Sequence, residues 1–164
     1  MKAKKITAMA LFVALGTAAG MFHIPILGAK AFPVQHAINV LAAVIFGPGP
    51  AVLIAFLIGL LRNILAMGTL LAFPGGMVGA LVAGLMYRAF QRNYAAAVGE
   101  VIGTGVLGAL LSVPLARLLL GQEATAFAYI IPFGLSSLAG AAVGLAVLKV
   151  GAFAWRKVEE RSRA

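Results

Sequence analysis

Apolar runs, each parted from the next by a few polar, glycine or proline residues, fill the chain from Ile6 to Trp155. A soluble domain of this size has to cover its surface with polar groups. This chain has too few, since 63% of its 164 residues are hydrophobic and 10% are charged, with a mean hydropathy of +1.07. The lipid bilayer is the solvent that accepts such a surface. Within hydrocarbon every backbone amide must be satisfied inside the protein, which leaves helices or a closed barrel. Barrel strands alternate apolar and polar residues over segments of about ten, whereas these runs are continuous and rich in Leu, Ala, Ile and Gly. The expected fold class is an all-α integral membrane protein.

Turn-forming clusters mark the boundaries. His23, Pro25, Gly28 and Pro33 follow the first run, Gly-Pro-Gly-Pro occupies 47–50, Met-Gly-Thr 67–69, Gln-Arg-Asn 91–93 and Gly-Gln-Glu 121–123. They predict a bundle of six transmembrane helices at about 6–22, 35–46, 51–65, 74–90, 95–120 and 132–155. A charged tail at 156–164 completes one membrane domain over 1–164, without internal repeats. The second helix would be only about 18 Å long, short of a full hydrocarbon core. Lys2, Lys4 and Lys5 ahead of an apolar run imitate a secretory signal, but five further apolar segments follow, so a retained first helix is expected.

The net charge of +9 would suggest nucleic acid in a soluble protein. Here the basic residues stand at helix ends, where they set orientation, and no nucleic-acid partner is expected. Six spans put both termini on one side. That side holds ten of the 13 Lys and Arg, and only Lys30, Arg62 and Arg117 fall on the other. The positive-inside rule therefore places both termini in the cytoplasm, in a multi-pass protein of the cell membrane.

Against this background the stretch 29–39 is a polar island, with Lys30, Gln35, His36 and Asn39 within eleven residues. Gln35/Asn39 and His36/Asn39 have i,i+4 and i,i+3 spacing and would share a helix face. Arg62 and Asn63 end the third helix, and Glu100 lies on the fifth with Thr104 one turn on. Plainer roles stand beside a binding role: Arg62 snorkelling to head groups, His36 at a helix cap, Lys30 in water. Ser136 and Ser137 would bond back to helix carbonyls, and Asn39 and Asn63 would serve as interhelical glue. Glu100 is harder to dismiss, because a carboxylate some 10 Å below the surface costs on the order of 2.5–3.5 kcal/mol unless paired.

Catalysis has little to work with. The chain has no Asp and no Cys, and Glu123, Glu159 and Glu160 lie near helix ends or in the tail. No metal-ligand set, cofactor motif, Walker A sequence or nucleophile motif is present in the sequence. A transport subunit without its own ATPase is expected, not an enzyme. The first helix carries Ala10, Ala14 and Ala18 on one face, a small-xxx-small stripe that lets another helix approach closely, within this chain or from a partner.

The stretches GAKAFPVQHAIN (28–39), LLRN (60–63), GTLLAFPG (68–75) and GEVIGTG (99–105) resemble the ThiW family. With six helices and the alanine stripe, they resemble the substrate-binding S components of energy-coupling factor (ECF) vitamin importers. The resemblance implies an outward pocket for a vitamin precursor, hydroxyethylthiazole for ThiW members, lidded by the 32–39 loop. It implies docking through Ala10, Ala14 and Ala18 on a transmembrane coupling protein joined to two ATPase subunits. A neutral thiazole needs an aromatic or Met-lined slot and a few hydrogen bonds. Phe32, Phe73, Met77, Tyr129 and Phe133 would form the slot. Gln35, His36, Asn39, Arg62, Asn63, Glu100 and Thr104 would supply or support the polar contacts. Two other readings stay open: a self-sufficient secondary transporter of a small neutral heterocycle, and a small membrane enzyme around His36 and Glu100.

Overall fold

The computed structural model describes residues 2–26, 29–121, 123 and 125–163, so Gly28 of the first motif lies outside the described residues. Helix α1 (Lys2–Ala18) ends in a single 3-10 turn, after which β1 (Ile24–Ile26) and β2 (Ala29–Ala31) pair antiparallel, with Ile24 opposite Ala31 and Pro25 opposite Lys30. Helices α2 (Pro33–Phe46), α3 (Pro48–Ile64) and α4 (Ala72–Phe90) follow. Next comes one rod made of α5 (Asn93–Ile102), a π-helical segment (Gly103–Gly108) and α6 (Ala109–Leu120), and last α7 (Ala126–Arg163). The architecture is that of an all-α membrane protein.

Helices α2 and α3 start earlier than the turn residues suggest, and proline is the reason. Pro33 and Pro48 stand in the first turns of α2 and α3, where a missing N–H costs nothing and a fixed φ favours the helix. So the 32–39 stretch, expected both as a lid loop and, from 35 on, as the second helix, is helical from Pro33, and the connection into it is the short β1–β2 pair. One residue, Gly47, joins α2 to α3 with φ +85°, a conformation open to glycine and strained for other residues. The final helix begins at Ala126 and carries Pro132 inside it, and its backbone runs on through most of the expected tail.

Four helical stretches among the described residues are long and apolar enough to cross a membrane: 3–21, 72–90, 93–120 and 126–153. Helices α2 and α3, with 14 and 17 residues, reach about 21 and 25 Å at 1.5 Å per residue. Helix α2 tolerates its shortness because α3, α4, α5 and α7 all pack against it. Large apolar side chains such as Leu11, Leu85, Leu110 and Leu138 point outward, the face a bilayer accepts.

The interior is built from small residues. Ala42, Ala43, Ala51, Ala55, Ala80 and Ala83 are all but fully buried, with Ile38, Ile54 and Ile58 between them. Small side chains let backbones meet and gain van der Waals contact that lipid cannot match. Contact is close where α4 crosses the π segment: a Cβ on Gly103 would lie 2.8 Å from the Gly79 Cα, and one on Gly108 2.7 Å from the Gly75 Cα. These crossings hold the fifth rod against α4 at the depth of Glu100 and Thr104.

Candidate functional site

The first two turns of α2 send three polar side chains inward. Gln35, His36 and Asn39 are 4%, 7% and 0% exposed, and helical spacing puts them on one face. Opposite stands Glu100, fully buried. Its Oε1 lies 2.8 Å from His36 Nδ1, 3.0 Å from Asn39 Nδ2 and 2.9 Å from Thr104 Oγ1. Asn39 Nδ2 also donates to the Gly76 carbonyl at 3.1 Å, and Thr104 Oγ1 lies 3.0 Å from the Gly75 carbonyl. The carboxylate that could not be left alone in lipid thus ties α2, α4 and α5 together. Glycine at 79 makes room for it, since a Cβ there would meet Thr104 Oγ1 at 2.0 Å and Glu100 Oε2 at 2.8 Å.

Arg62 is the second buried centre. It turns inward from the last turn of α3, 1% exposed, and does not snorkel. Its Nη1 donates to Gln35 Oε1, its Nη2 lies 3.4 Å from the Met67 carbonyl oxygen, and its guanidinium carbon sits 3.7 Å from the centroid of the Phe32 ring. Its Nε has no partner. Asn63 pins the chain beyond: Nδ2 donates to the Gly59 and Thr69 carbonyls at 2.8 and 3.1 Å. Residues 66–69 are thereby held over the end of α3. On the far side Ser136 Oγ accepts the Phe32 amide at 2.8 Å, fastening the junction of β2 and α2 to α7.

These elements enclose a cavity of about 390 Å³, a size suited to a small molecule. Of the residues that the sequence singles out, Phe32, Gln35, His36, Arg62, Thr104, Tyr129 and Phe133 line it. Tyr129 and Phe133 sit with ring centroids 6.0 Å apart on α7. Asn39 and Glu100 stand behind the wall and reach the cavity through His36 and Thr104. Asn63, Phe73 and Met77 are elsewhere. Phe73 packs on Phe56, with centroids 5.7 Å apart, and shares with Met77 a separate apolar groove beside α6.

The cavity also takes in residues to which the sequence gives a plainer role or none. Lys30 stands at its exposed mouth, and Met67, Leu71, Gly75, Gly76 and Ser136 are among the other wall residues. Gly68 and Gly75 bracket one of the motifs quoted above, so a signal existed at the level of the segment. Nothing in residue type told Leu71 from Phe73.

Among the described residues no group of three or more His, Cys, Asp or Glu side chains comes together to hold a metal ion. The site offers hydrogen bonds, aromatic faces and a buried guanidinium, the equipment of a binding pocket. No curated protein matches the sequence. The family model described as "Thiamine-precursor transporter protein (ThiW)" matches residues 6–152, most of the chain. The chain therefore belongs to the ThiW family of thiamine-precursor transporters.

Proposed function

We propose that the chain is the substrate-binding S component of an ATP-driven ECF importer and takes hydroxyethylthiazole as its thiamine precursor. Transport of a thiamine precursor comes with the family, and the subunit role and the ligand are the further steps. The observation that carries the reading is the cavity of about 390 Å³ between β2, α2, the 66–69 segment and α7, part aromatic and part polar. Phe32, Tyr129 and Phe133 offer faces for a flat heterocycle. Arg62, Gln35, His36 and Thr104 offer hydrogen bonds for a hydroxyethyl arm. Asn39 and Glu100 fix His36 and Thr104 in place.

The outer face of α1 supports the docking half of the proposal. Ala10, Ala14 and Ala18 are all exposed, while Phe12 and Val13 pack toward the core. A small-residue stripe facing away from its own bundle suits a second membrane protein, here the transmembrane coupling protein with its two ATPase subunits. With both termini in the cytoplasm the cavity opens outward.

Uptake into liposomes is the test. The purified chain alone should bind hydroxyethylthiazole one to one and fail to accumulate it, and coupling protein, ATPases and ATP should restore accumulation. Gradient-driven uptake by the chain alone would replace this reading with a self-sufficient secondary transporter. Ala14→Leu should abolish coupled uptake and leave calorimetric affinity unchanged. Normal uptake would mean the stripe is not the docking face.

A further inference from the structure

The cavity's ionic groups are all of one sign. Arg62 and Lys30 line it, and no Asp or Glu does. Arg62 is as buried as the apolar core, yet its partners are a side-chain amide and a backbone carbonyl, and its Nε has none. The nearby Glu100 carboxyl is held through its Oε1 by His36, Asn39 and Thr104.

A buried guanidinium facing neutral dipoles is an unbalanced positive centre, and low local polarity strengthens its field. We propose that the cavity selects its ligand by charge: it takes the heterocycle neutral or anionic, with an acceptor group on Arg62, and rejects a cationic ring. This inference rests on the thiazole reading above. It implies that thiamine itself, whose thiazolium carries a permanent positive charge, is turned away by the site that takes its uncharged precursor.

The experiment compares three charge forms of one shape by calorimetry on the full chain in detergent. They are hydroxyethylthiazole, its N-methylthiazolium salt, and the analogue with a carboxylate in place of the hydroxymethyl group. The same three forms of the pyrimidine half of thiamine are measured beside them. The thiazolium should bind roughly 30-fold more weakly than the alcohol, and the carboxylate at least as tightly. Arg62→Gln should shrink the gap between alcohol and thiazolium to about fivefold or less. Lys30→Gln, at an exposed position that cannot threaten folding, should narrow it about threefold.

Equal binding of alcohol and thiazolium, a carboxylate ten times weaker than the alcohol, or a gap unmoved in both variants would overturn the charge rule and leave the thiazole assignment standing. Binding confined to the pyrimidines in the same charge order would overturn the thiazole assignment and leave the charge rule standing. No binding by any of the six compounds would overturn both.

Discussion

Helices α2 and α3 each have two unlike halves. The end joined by Gly47 is packed with Ala42, Ala43, Ala51, Ile54 and Ala55, apolar and closed. The other end holds Gln35, His36 and Arg62, equally buried and set around a cavity, with Asn39 buried behind them. Burial alone does not distinguish the halves. At the closed end, contact between small side chains holds helices together with no polar atom to satisfy. At the cavity end paired polar groups constrain their neighbours, and the space that alanines would fill is left for a ligand. One pair of short helices thus does two jobs, with the closed half anchoring the half that binds.

The comparison is broken most severely by removing the carboxylate. Glu100→Leu leaves His36, Asn39 and Thr104 facing hydrocarbon without their common acceptor, and loss of one partner of a buried pair costs on the order of 3–5 kcal/mol. Denaturant titration in detergent should show this loss together with loss of ligand binding. The counterpart at the closed end is Ile54→Ala. In lipid the transfer term of a buried aliphatic group largely vanishes and the packing term remains, so about 1–2 kcal/mol is expected. Ligand affinity should be unchanged. A variant at Ile54 that destroyed binding would show that the two halves are coupled.

Next in size is the guanidinium. Arg62→Ala should weaken hydroxyethylthiazole binding at least tenfold, about 1.4 kcal/mol, because it removes a cavity donor and releases both Gln35 and the 66–69 segment. Asn39→Ala should cost about as much by another route, letting Glu100 and His36 shift behind the wall. An unchanged calorimetric affinity in both would take the α2–α3 wall out of the site.

How far the sequence revealed these halves depends on what each residue needs. Glu100 was legible because a carboxylate in lipid must find partners, and His36 and Asn39 were among the few residues able to supply them. Helix existence was legible from the apolar runs and the Gly/Pro breaks. The β1–β2 pair was not, since six residues that include a proline give no alternation to read. The π segment was hidden as well, because Gly103–Gly108 reads as helix whatever its winding. Within 68–75 the segment was marked and the inward side was not: Leu71 and Phe73 are both apolar, and only the start of α4 at Ala72 sends the first to the cavity and the second to Phe56.

That distinction gives the smallest effect and the sharpest test of where the cavity half ends. Phe73 is the larger aromatic and the more obvious slot residue, yet it faces the groove beside α6. Phe73→Leu keeps an apolar side chain against Phe56 and touches no cavity wall, so ligand affinity should change less than twofold. Leu71→Ala widens the cavity by the volume of an isopropyl group and leaves the ligand's apolar face short of contact, so about threefold to tenfold weaker binding is expected. Isothermal titration of both variants separates the two positions directly. A Phe73 variant that loses affinity while the Leu71 variant keeps it would mean that the groove beside α6, and not the cavity under β2, receives the heterocycle.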